Sequence, residues 1–101
     1  MLVLKRKKGQ RIVMVNNGAL SYVKLLSFRE GDSAVISIKT NGNETYKTHQ
    51  VKLRENLLIH DSITIYIVDI FKFFVKVGID APKSVIVDRE EIHLKKIKSV
   101  N

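Results

Sequence analysis

Cysteine is absent from the 101 residues, which excludes disulfides, thiol catalysis and thiolate metal sites. Tryptophan is absent too, and there is a single proline, Pro82. The five glycines are scattered at turn signals, so no glycine-rich phosphate loop can be assembled. No apolar run approaches the ~18 residues of a membrane span. At the start, MLVLKRKKG, charge follows a short apolar run instead of preceding it, the reverse of a secretory signal. A cytoplasmic protein without a membrane role is expected. His49, His60 and His93 are the only histidines, and none has a paired ligand spacing, so no metal site is expected. No strained nucleophile turn is visible, and the adjacent acids Glu90-Glu91 read as a helix start, not an acid/base pair. The expectation is a protein that is not an enzyme and needs no cofactor.

Acid is also scarce. Ten Asp and Glu stand against 18 Lys and Arg, a formal charge of +8. On a body of this size that excess attracts polyanions, nucleic acid first. The densest positive stretch is Lys5, Arg6, Lys7, Lys8 and Arg11, with no acid among them. It reads either as a solvated strand edge protected from further pairing or as a phosphate-binding strip. A 45% hydrophobic content describes a folded chain, long enough for one small domain whose thin core dimerisation would extend.

The pattern along the chain is mostly period two. Leu2–Leu4, Ile12–Val15, Leu20–Phe28, Ala34–Ile38, Thr45–Leu53, Asn56–Ile59, Ser62–Ile70 and Phe71–Ile79 read as strands. Turn signals at Asn16–Gly18, Arg29–Ser33, Asn41-Gly42 and His60-Asp61 separate them. Phe71, Phe73 and Phe74 are expected in the core, in view of their apolar neighbours.

The stretch Val75–Ile92, VKVGIDAPKSVIVDREEI, passes from strand to helix. Pro82 fixes its own φ and extends Ala81, which predicts a rigid connection over Asp80–Lys83. Asp88 is a helix N-cap candidate, with Glu91 completing a capping box. The helix Arg89–Lys98 carries acids in its first turn and Lys95, Lys96 and Lys98 in its last, as the macrodipole favours. Ile92 and Ile97 could share a buried face. Arg89 sits at the junction, either solvated or placed to meet an anion. The predicted fold is therefore mainly β, a small antiparallel sheet or barrel-like domain with one C-terminal α-helix.

Two blocks carry a family resemblance. MLVLKRKKGQ resembles the opening of the carbon storage regulator family (CsrA/RsmA). LLIHDSITIYIVDIFKFFVKVGIDAPKSVIVDREEI resembles that family's run from second strand to helix. Its closest motifs are Gly78-Ile79-Asp80-Ala81-Pro82-Lys83 and Val87-Asp88-Arg89-Glu90-Glu91-Ile92. The chain thus reads as a single domain over 1–101, family-like at 1–10 and 55–100, with a β-rich addition at about 11–54. That addition is either a three-stranded insertion or a partial internal duplication whose second unit lacks its own first strand.

The resemblance implies an intertwined homodimer in which the first strand of one protomer lies beside the fifth strand of the other. It implies binding to GGA-containing sites in messenger RNA leaders or small RNAs, controlling translation or transcript stability. It also admits an antagonist protein as a partner. Carried over by position, Leu4 and Arg6 match first-strand contacts, while Val87 and Arg89 match fifth-strand contacts. Lys5 stands where the family often has Thr and Lys7 where it usually has Arg, and Lys8 extends the strip towards phosphates. Asp88 departs from the usual His, setting a negative charge beside Arg89. The alternative function is a protein-interaction module derived from this family that has lost specific RNA binding. Net charge alone would support nonspecific polyanion binding.

Overall fold

Among the described residues, nine strands and one helix follow one another along the chain. The computed structural model describes residues 1–40, 45–60 and 62–98. Its strands are β1 (Leu2–Arg6), β2 (Arg11–Asn16), β3 (Ala19–Arg29), β4 (Ser33–Lys39), β5 (Lys47–Lys52), β6 (Asn56–His60), β7 (Ile63–Ile70), β8 (Val75–Asp80) and β9 (Val85–Arg89), followed by α1 (Glu90–Lys98). All strand pairs are antiparallel, in two sheets ordered β1-β8-β7-β6 and β5-β4-β3-β2-β9. The fold is mainly β with one C-terminal helix, and the sheets form a sandwich, not a closed barrel. The expected Asn41-Gly42 turn and Asp61 lie outside the described residues.

Local chemistry explains the connections. Asn17 and Gly18 both have positive φ, 52° and 80°, which gives β2 and β3 the two-residue hairpin that matches strand twist. Val85 N donates to Pro82 O at 3.0 Å, closing a tight turn after the proline. One expectation fails at Phe71–Phe74. No strand starts there. β7 ends at Ile70, and a turn closed by Phe71 N donating to Phe74 O at 2.9 Å leads into β8. Phe71 and Phe74 stack at 4.7 Å on the surface of that turn, and Phe73 is 72% exposed. Lys5, Lys72 and Lys76 lie over these rings, so cations cover the aromatic faces that the core was expected to cover.

The core lies between the sheets. Ile12, Met14, Leu25 and Ile36 from one sheet meet Ile65, Ile67, Val77 and Ile79 from the other in one buried cluster. Helix α1 rests on β2 and β9 and buries none of its residues. Ile97, expected on a buried face, is exposed, and Ile92 is half-buried.

The two sheets repeat each other. Exchanging β1 with β5, β2 with β6, β3 with β7 and β4 with β8 converts one strand order into the other, with β9 left over. The details repeat as well. Gly9 N donates to Leu25 O at 2.7 Å and Leu25 N to Gln10 O at 3.0 Å; Arg54 N donates to Ile67 O at 2.7 Å and Ile67 N to Glu55 O at 3.1 Å. Gly9 and Arg54 both have positive φ, 87° and 67°. The register shifts at Leu25/Ser27 in β3 and at Ile67/Asp69 in β7 are the same bulge. β5 pairs with β4 as β1 pairs with β8, so it stands as the first strand of the second set.

A core shared by both sheets cannot lose one sheet alone. Ile67→Ala should lower the unfolding free energy by about 2–5 kcal/mol. In urea, the amide signals of β3 and β7 should disappear in one transition; two separate transitions would contradict the shared core.

Candidate nucleic-acid interface

Strand alternation sets the first half of the site. Along β1, Leu4 and Arg6 face inward while Lys5 faces out. An inward arginine must be paired, because a desolvated guanidinium without partners is costly. Arg6 is 3% exposed and fully engaged. Its Nη1 and Nη2 donate to Glu91 Oε1 and Oε2 at 2.9 and 2.8 Å, a bidentate fork. Nη1 also donates to Arg11 O at 3.1 Å, and Nε to Lys5 O at 2.6 Å.

The second half is set by the end of β9. Val87 pairs with Met14 and Arg89 with Ile12, so β9 is the edge of the second sheet next to β2. Arg89 is exposed at its last position. Glu90, first in the helix, pairs with the Arg11 guanidinium, which lies 4.8 Å from the centre of the Tyr22 ring and donates to Tyr46 Oη at 3.1 Å. Glu90 pushes the Arg11 pKa up. Both first-turn glutamates therefore grip arginines at the two ends of the β1–β2 connection. That grip brings the edge of one sheet beside the edge of the other.

Asp88 does not cap the helix. It is the fourth residue of β9, and its Oδ2 accepts from Lys96 Nζ at 2.8 Å. The capping-box partner, Glu91, is taken by Arg6. The negative charge beside Arg89 is thus met within the chain by a lysine two turns along α1.

Between the start of β1 and β9 lies a cleft of about 230 Å³. Met1, Leu2, Ala81, Pro82, Val85 and Val87 give it an apolar lining, with Asp80 and Lys83 at the polar side. Leu4 and Val87 are half-buried and pack on the core. Lys5, Lys7, Lys8 and Arg89 are exposed, and among the described residues no salt bridge holds any of them. Lys5 Nζ stands 5.1 Å from the centre of the Phe74 ring. Of the seven residues singled out from sequence, then, four are exposed cations, Leu4 and Val87 pack on the core with Val87 also lining the cleft, and Arg6 is a buried tie. Sequence reasoning missed Glu91 and Arg11 as its partners. Arg6 and Glu91 are 85 positions apart, and no local pattern links them.

The Arg6 fork lowers the Glu91 carboxyl to about 2, helped by its own backbone N–H, and slight burial opposes the shift only weakly. Because the folded value is depressed, the pair's stabilisation is complete above the ordinary carboxylate range and is lost as pH falls towards 2. NMR titration should give a Glu91 midpoint of about 2, returning towards the ordinary range in Arg6→Met. A normal Glu91 midpoint in the unaltered chain would contradict the tie.

Residues 50–98 match the CsrA family, described as a global regulator protein family. The match begins within β5 and ends at the last residue of α1, so it includes β9, Arg89 and both glutamates. No solved structure matches the chain. The family is regulatory and RNA-binding and is typically dimeric. The matched segment, just under half of the chain, runs from β5 to the end of α1, and over that part the chain matches the carbon storage regulator family.

Proposed function

We propose that the chain is a post-transcriptional regulator that binds single-stranded GGA-containing sites in messenger RNA leaders or small RNAs and thereby controls translation or transcript stability. The observation that carries this reading is the apolar cleft between β1 and β9, on strands that also carry the exposed Lys5 and Arg89, with exposed Lys7 and Lys8 following β1. Phosphates of a single strand would meet the lysines. Base edges would meet Arg89 and strand backbone, and an unstacked base would fit against Leu4, Val87 and the cleft lining. Arg6 acts as a positioning residue, holding β1 to α1. The Asp88–Lys96 pair favours RNA binding over a purely protein-binding role, because it answers the charge that would otherwise oppose phosphate at Arg89.

We read residues 1–101 as one domain in which β5–β8 repeat the β1–β4 unit. The juxtaposition that the family makes between two protomers is then made within one chain. There is one β9, so there is one composite edge. A cytoplasmic location follows from an RNA target. No helix among the described residues is long and apolar enough to cross a membrane.

Gel shifts with a GGA hairpin and a scrambled-loop control test the reading. Arg89→Ala should weaken GGA binding by about 1–3 kcal/mol with the fold intact. Lys7→Ala or Lys8→Ala should weaken both RNAs alike and reduce the salt slope by about 1. Equal affinity for hairpin and scrambled loop would instead indicate nonspecific polyanion binding, and no shift with either would support the protein-interaction alternative. Native mass spectrometry should find one RNA per chain; two RNAs per chain would sink the single-edge assignment.

A further inference from the structure

The repeat leaves one seat empty. In the second sheet, β2 is covered on its outer side by β9 and α1. In the first sheet, the counterpart strand β6 ends the sheet, and among the described residues nothing pairs with its outer edge. The shared turn hydrogen bonds align Gly9 with Arg54, and counting on from there aligns Val13 with Leu58. Val13 is 1% exposed and Leu58 is 62% exposed. The scaffold position is the same, and the difference is the missing strand and helix.

The chemistry around the empty seat differs from that around the composite edge. Ala34 pairs with Val51 as Val75 pairs with Arg6, so Val51 stands where the basic strand has Arg6. By the same alignment Gln50 replaces Lys5 and Leu53 replaces Lys8. The groove between β5 and β6, about 370 Å³, is lined by Ile38, His49, Leu57, Leu58 and Ile59, with Lys47 and Thr40 at its polar side. By that alignment Lys52 keeps the charge of Lys7, while Lys5, Arg6 and Lys8 have neutral or apolar counterparts. The groove therefore suits a polypeptide more than RNA.

We propose that the open edge of β6 is a docking seat for a strand-and-helix segment of a partner protein, chemically of the Val85–Lys98 type. The strand would run antiparallel to β6, as β9 runs to β2, with β-branched residues at alternate positions. Its backbone would complete the hydrogen bonding of β6, and its helix would cover Leu58 as α1 covers Val13. A strand of that kind also removes the hazard of a bare edge carrying an exposed leucine. The proposal does not depend on RNA binding, and a failure of the gel shifts leaves it standing.

The probe is the chain's own segment as a synthetic peptide, Ser84–Lys98, titrated into the 15N-labelled full-length chain. Amide shifts should map to Leu57–His60 and β5 and saturate at one peptide per chain. Leu58→Lys should weaken the peptide about tenfold or more, while the melting temperature and GGA-hairpin affinity stay unchanged. The proposal is overturned by no shift at about 1 mM peptide, or by shifts confined to β2, where the peptide would be displacing β9. It is also overturned if the hairpin RNA itself moves the β6 amides, or if a second copy occupies the edge, seen as a concentration-dependent dimer that Leu58→Lys abolishes.

Discussion

A guanidinium shut away from water has to be met by fixed acceptors, and in this chain one such group ties the molecule's two ends together. Arg6 closes the first strand; Glu91 lies in the first turn of α1, 85 positions later. Their fork is joined by the Arg11–Glu90 pair on the other side of the β1–β2 connection. Without these contacts, β1 would be held only by β8 and β9 only by β2, in different sheets. With them, two sheet edges share one face of the sandwich. The basic edge depends on that arrangement, because the cations of β1 and Arg89 stay near one another only while β1 and α1 stay together. The tie also selects which arginine is free. Arg6 is consumed by structure, and Arg89 is left to solvent or to a ligand.

The asymmetry lies in what completes each set of strands. Two sets of four strands build the two sheets with the same bulge and the same turn hydrogen bonds. One β9–α1 unit remains to finish one of them. The finished side has a dense row of cations, and its counterpart has Gln50, Val51 and Leu53 at three of those positions and keeps only Lys52. A positive φ that Gly9 adopts freely is imposed on Arg54 at the equivalent turn, where an L side chain adopts it at some cost. The same backbone thus carries one edge suited to a polyanion and one suited to a strand.

Much of this was legible in the residues, for local reasons. Alternation of apolar and polar side chains located the strands, the turn signal at Asn16–Gly18 marked the β2–β3 connection, and Pro82 marked the connection before β9. Arg89 stood out because a strand-to-helix junction is a local pattern. What could not be read was set by contacts far apart in sequence. Phe71–Phe74 has the composition of a strand, but the hairpin needs a turn there, and lysines from three elements or loops cover the rings. Asp88 has the residue type of a cap, but Lys96 and the length of β9 claim it. The role of Lys47–Lys52 as a first strand showed only in its pairing with β4, because its sequence no longer carries the basic pattern of β1.

The most direct measurement is an amide chemical-shift map of the 15N-labelled chain bound to a GGA hairpin. The account predicts that Leu4–Lys8 and Val87–Arg89 move together, along one composite edge, while Lys47–Lys52 stays still. Shifts centred on Lys47–Lys52, or on β1 without β9, would contradict it.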